Sequence, residues 1–111
     1  MLRRFVESRG FSADRDRLER DGEITLEDIV ALEQDILANP DAGDLVPGTG
    51  GLRKVRLAQR QVRRGKRGGL RVYYLDLAAS KVTHLVAIFG KREKTDLSAA
   101  ERNRSLPWFA G

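Results

Sequence analysis

LRVYYLDLAASKVTHLVAIF, residues 70–89, reads as two strands joined by a tight turn. Aromatic and branched residues crowd Leu70–Leu77 and Lys81–Phe89, and Ala79-Ser80 falls between them, so the stretch predicts a β-hairpin. A run of the same kind, Leu52–Ala58, lies upstream, and the three together predict an antiparallel meander. The spacing changes in the first half of the chain. Thr25 and Asp28 form a capping-box-like pair, after which Leu26, Ile29, Val30, Ile36 and Leu37 recur at helical spacing. Asn39-Pro40 ends that helix, because the residue before proline is pushed out of the α region. Ser12 predicts the N-cap of a shorter helix from about Ala13 to Arg20, and Leu2–Glu7 predicts a short opening strand. Asp41–Gly51 reads as a turn-rich connector. Ser98 with Glu101 predicts a short tail helix ending near Pro107. Helices followed by a meander make an α+β fold, with N-terminal helices packed on one face of a twisted antiparallel sheet.

The 111 residues, 12.5 kDa, fit a single domain spanning 1–111. The absence of cysteine excludes disulfides, thiol nucleophiles and thiolate zinc sites, and suits a reducing cytoplasm. A single histidine, His84, excludes a histidine-rich metal site and a two-histidine nuclease mechanism. No metal or cofactor is expected. The longest apolar run, Leu85–Phe89, is too short to span a bilayer, and the first ten residues lack the apolar core of a signal peptide. The expected location is therefore the cytoplasm, with no membrane partner.

Charge is divided along the chain. Residues 1–44 carry a net −6 and residues 45–111 a net +11. Between Asp44 and Asp76 there is no carboxylate, while Gly51–Arg71 holds nine cations: Arg53, Lys54, Arg56, Arg60, Arg63, Arg64, Lys66, Arg67 and Arg71. Such density is self-repelling unless a polyanion neutralises it, which points to nucleic acid. Strand alternation divides the block. Val55 and Leu57 supply an apolar face for the helices, so Lys54 and Arg56 share the other, and Arg71 joins them near the start of the second strand. Arg60–Arg67 falls in a loop, where the alternative is simple solvation. Gly90-Lys91-Arg92-Glu93-Lys94 closes the third strand with more cations.

Other residues are less informative. His84, Tyr73, Tyr74 and Phe89 read as strand residues before they read as a base or as stacking platforms, and Trp108 and Phe109 read as packing for the tail. Gly48-Thr49-Gly50-Gly51 is no phosphate-binding P-loop, since neither Lys-Ser/Thr nor a helix follows it.

Five segments occur in order: Phe5-Val6-Glu7-Ser8, Leu37-Ala38-Asn39-Pro40, Pro47 through Arg56 (PGTGGLRKVR), Gly65 through Tyr74 (GKRGGLRVYY) and Phe89 through Ser98 (FGKREKTDLS). Together they resemble the RelE/HigB-type toxins of bacterial type II toxin–antitoxin systems, within the RelE/ParE superfamily, over residues 4 to 104. The resemblance implies a ribosome-dependent mRNA endoribonuclease, an mRNA interferase that works without metal. It also implies a cognate antitoxin, expected to be a helix-turn-helix protein, and the ribosome with its mRNA as partners. Carried over by position, Lys54, Arg56, Arg71 and Arg92 are the expected catalytic residues. Arg53, Arg60, Arg63, Arg64, Lys66, Arg67, Lys91 and Lys94 are the expected RNA contacts. The implied chemistry is attack of the 2′-OH on the neighbouring phosphate, with no carboxylate near the site. Some relatives carry a tyrosine where this chain has Phe89 or Ser98. That departure keeps open a non-catalytic basic RNA- or ribosome-binding protein. A ParE-like gyrase inhibitor shares the fold but has no need of co-facial Lys54, Arg56 and Arg71.

Overall fold

The computed structural model describes residues 3–57, 69–90 and 97–99. In chain order the elements are β1 (Arg4–Glu7), α1 (Arg9–Arg20), α2 (Leu26–Ala38), β2 (Asp44–Leu45), β3 (Arg53–Leu57), β4 (Leu70–Leu77) and β5 (Val82–Gly90). The sheet order is β1-β5-β4-β3-β2. The predicted meander is its centre: β3 pairs antiparallel with β4, and β4 with β5. Two strands extend it. β1 lies parallel beside β5, which makes the sheet mixed, and the two-residue β2 runs antiparallel to β3 inside the stretch that reads as connector. The hairpin loop is four residues long, because Leu77 pairs with Val82, and Lys81 takes a left-handed conformation at φ 57°.

Local chemistry explains the helix starts. At α2 the expected capping box forms, Asp28 N–H donating to Thr25 Oγ1 at 3.2 Å and Thr25 N–H to Asp28 Oδ2 at 3.1 Å. At α1 the cap is Ser8, not Ser12. Ser8 Oγ accepts from Phe11 N–H at 3.0 Å and donates to the Val86 carbonyl at 2.9 Å, so the cap also ties the helix to the sheet. Ser12 is then one turn inside the helix, donating to Glu7 Oε1 at 2.6 Å.

Both helices pack on one face. Phe11 and Leu18 from α1 and Ile29, Leu32 and Ile36 from α2 meet Leu57, Leu70, Val72, Tyr74, Leu85 and Ile88. A register break between Tyr73 and Tyr74 leaves Val86 as an extra residue on β5. Val86 and Ala87 therefore both join the opposite face, in a second cluster with Leu52, Tyr73, Leu75, Phe89 and Leu97. The helix-free face, expected to be an open basic concavity, thus carries an apolar core of its own.

The outer strands are pinned by polar contacts. The Arg3 guanidinium pairs with Asp76, which also accepts from Thr83 Oγ1 at 2.9 Å, fastening the start of β1 to β4 and β5. Arg15 pairs with Glu7 between α1 and β1. His84 is 6% exposed on β5, and burial pushes its imidazole below the usual histidine range. A depressed folded-state pKa favours the neutral ring, so this stabilisation is complete above about pH 6.5 and is lost as pH falls below it. The melting temperature is expected to drop between pH 7.5 and 5, and His84→Gln should flatten that drop in parallel melts. An identical slope in both proteins would remove His84 as its source.

Candidate nucleic-acid interface

Alternation along β3 and β4 places the described cations as expected. Val55 and Leu57 face the helices, while Leu52 belongs to the helix-free face, and with it go Lys54 and Arg56. On β4, Val72 and Tyr74 face the helices and Tyr73 and Leu75 the other side, so Arg71 shares the side of Lys54 and Arg56. The register makes this specific. Arg56 stands directly opposite Arg71, which stands opposite Phe89, and Lys54 stands opposite Tyr73 one step along. Opposed residues in an antiparallel pair hold their Cβ atoms about 5 Å apart, and like charges there repel. Among the described residues, neither Arg56 nor Arg71 forms an ion pair.

Two features hold this row. The rings of Tyr73 and Phe89 stack at 5.4 Å and 20°, each only 1% exposed, as a rigid floor beside Arg71. Both are core, as their strand positions suggest. Gly69, at φ 61°, lies under the Arg56 side chain: a Cβ there would sit 3.2 Å from the Leu57 carbonyl oxygen and 3.7 Å from a guanidinium nitrogen of Arg56. Glycine at this point permits the left-handed turn into β4 and spares the Leu57 carbonyl a tight contact.

The structure departs from expectation at two positions. Asp44, carried by β2, stands opposite Lys54 in register, so the row has a carboxylate neighbour after all. A two-residue strand in a Gly/Pro-rich connector has no periodicity by which to announce itself. Arg53 faces away from the row. Its Nη1 donates to the carbonyls of Gly43 at 2.7 Å and Asp41 at 3.1 Å, and its other terminal nitrogen lies 3.6 Å from Asp41 Oδ1. Arg53 is thereby built into the connector that follows α2. Tyr74 completes that framework, accepting from Gly43 N–H at 3.1 Å and donating to the Pro40 carbonyl at 2.8 Å. Burial raises its phenol. Thr49 closes the glycine-rich turn internally, donating to the Val46 carbonyl at 2.6 Å and accepting from Leu52 N–H, which gives that turn a structural role.

Arg60, Arg63, Arg64, Lys66, Arg67, Lys91, Arg92 and Lys94 lie outside the described residues, as do Trp108, Phe109 and the expected tail helix beyond residue 99. Leu97 is buried in the second cluster. Among the described residues, no group of acidic or histidine side chains is arranged to hold a metal ion, and no helix is long and apolar enough to cross a membrane.

No protein-family model matches the chain. Among solved structures it is similar to the E. coli toxin RelE, determined in the free state as a mutant with two arginines replaced by alanine. The TM-score is 0.53 at 11% sequence identity, over 97% of this chain and 98% of that one. The likeness in fold therefore spans nearly the whole of both chains, and the architecture, two helices on a five-stranded sheet, is RelE-like.

Proposed function

We propose that this chain is the toxin of a type II toxin–antitoxin module: a metal-independent endoribonuclease of the HigB kind that cuts mRNA on translating ribosomes. The observation that carries the reading is the direct opposition of Arg56 and Arg71 on neighbouring strands, with Lys54 on the same face. Two arginines opposed in register are unfavourable alone and favourable around a phosphate, whose oxygens take paired N–H donors.

The chemistry follows from the substrate. RNA supplies its own nucleophile, so the protein has to align the 2′-OH with the phosphorus and stabilise the charge that develops there. Lys54 and Arg56 orient the 2′-OH, whose proton passes to water, Arg71 holds the phosphorane oxygens, and Arg92 assists the departing 5′-oxygen, which takes a proton from water. The P–O5′ bond breaks as the 2′-O–P bond forms, leaving a 2′,3′-cyclic phosphate and a 5′-OH. Arg60, Arg63, Arg64, Lys66, Arg67, Lys91 and Lys94 grip the backbone or the ribosome. The working unit is one domain, 1–111, acting in the cytoplasm and masked by a cognate helix-turn-helix antitoxin.

One observation favours a second reading, a basic RNA- or ribosome-binding protein without catalysis. Tyr73, a phenol placed near Arg71, is buried and unavailable as an open acid or base. A purified translation system with a defined message separates the two. Cleavage within translated codons, with cyclic-phosphate ends, is expected; arrested translation on an intact message would leave only the binding protein.

A further inference from the structure

A second charge segregation mirrors the basic block. From Asp21 to Leu52 the chain has no lysine or arginine and eight carboxylates. The four large hydrophobic residues exposed among the described residues, Leu26, Val30, Leu37 and Leu45, all fall in this span. Three of them belong to α2. With 3.6 residues per turn, Leu26, Val30 and Leu37 lie within about 40° of one another around the helix. They are 59%, 41% and 48% exposed, a stripe turned away from the core contacts of Ile29, Leu32 and Ile36.

We propose that this stripe on α2 docks a basic amphipathic helix from a partner protein. Exposed apolar residues at helical spacing match the way helices pack on one another, ridge into groove, and such patches mark interaction surfaces. The border sets the sign of the partner. Glu27 is exposed on α2 about 60° around the helix from Val30, and Glu33 lies beside the stripe with its carboxyl raised by burial and by the Glu7 charge, an effect Arg15 only partly offsets. A lysine or arginine arriving there relieves that unbalanced charge.

The same border disfavours the other occupants. Two copies of this face would bring acid against acid, and both RNA and anionic membrane surfaces are repelled. None of the residues involved belongs to the Lys54–Arg56–Arg71 row, so the proposal stands apart from the proposed nuclease activity.

The test uses the full chain and a labelled designed helical peptide with leucines at i, i+4 and i+11, flanked by lysines, read by fluorescence anisotropy. Saturable binding is expected. Val30→Ser with Leu37→Ser should weaken it about tenfold or more, as should replacing the peptide lysines with glutamates, while Arg71→Ala leaves it unchanged. Circular dichroism melts check that the double variant stays folded, as substitution at exposed positions should allow. Equal binding by the double variant, or by a peptide of the same composition with its leucines shuffled, would overturn the proposal. So would sedimentation showing that the chain self-associates through the stripe and that Leu37→Lys abolishes this.

Discussion

Arg71→Ala is expected to slow message cleavage by roughly 10²- to 10³-fold, the usual effect of removing one preorganised donor from a developing oxyanion. The melting temperature should stay level or rise slightly, because the substitution also removes the like-charge opposition with Arg56. Loss of rate without loss of stability is the signature of a group kept for its ligand, since such sites trade stability for function. Arg71→Lys should fall between the two, retaining charge but losing the paired donors. Single-turnover cleavage and thermal melts on the same preparations decide the matter. An unaltered rate would take Arg71 out of the site, and a parallel collapse of rate and melting temperature would make it structural.

Gly43→Ala should destabilise the fold by about 2–4 kcal/mol, combining overpacking with the loss of buried hydrogen bonds. A Cβ at this position would sit 2.9 Å from Tyr74 Oη and 3.0 Å from the Lys54 carbonyl oxygen, and neither can retreat easily. Tyr74 is fully buried, and Lys54 is held between β2 and β4. Tyr74→Phe, which leaves Gly43 N–H and the Pro40 carbonyl without their phenol, should cost about 1–3 kcal/mol. The two effects share one contact and should add to less than their sum. Urea melts measure both; a Gly43→Ala loss under about 1 kcal/mol would mean that the connector relaxes freely.

The parts of this fold legible in the sequence are those specified by nearby residues. The hairpin over 70–89, the Thr25/Asp28 box and the facing of Lys54, Arg56 and Arg71 each follow from short-range alternation or capping. What was illegible depends on distant partners. Ser8 outcompetes Ser12 as a cap because it reaches the Val86 carbonyl, a contact no local rule foresees. The pairing of β1 with β5 joins residues far apart in the chain, and β2 has only two residues. Asp44 reaches the basic row by that pairing alone, which is why the row reads as free of carboxylates when taken along the chain. The alternation that aligns Lys54 with Arg56 also turns Arg53 to the other face, but its anchorage on the Asp41 and Gly43 carbonyls depends on how the connector folds back.

The parallel pairing of β1 with β5 also orders events in time. Arg4 takes Val82 as its register partner and Glu7 takes Leu85, so β1, first of the described strands, waits for β5, the last of them. Until β4 and β5 emerge, Phe11, Leu18, Ile29 and Ile36 have no sheet to cover. Folding of the sheet therefore closes only after β5 has emerged, as expected when contacts are distant in sequence. Arg56 and Arg71 come face to face only once β3 has found β4. A nascent chain whose β4 is still inside the machine that makes it carries these cations unassembled, and the proposed weapon is armed only after that strand has emerged.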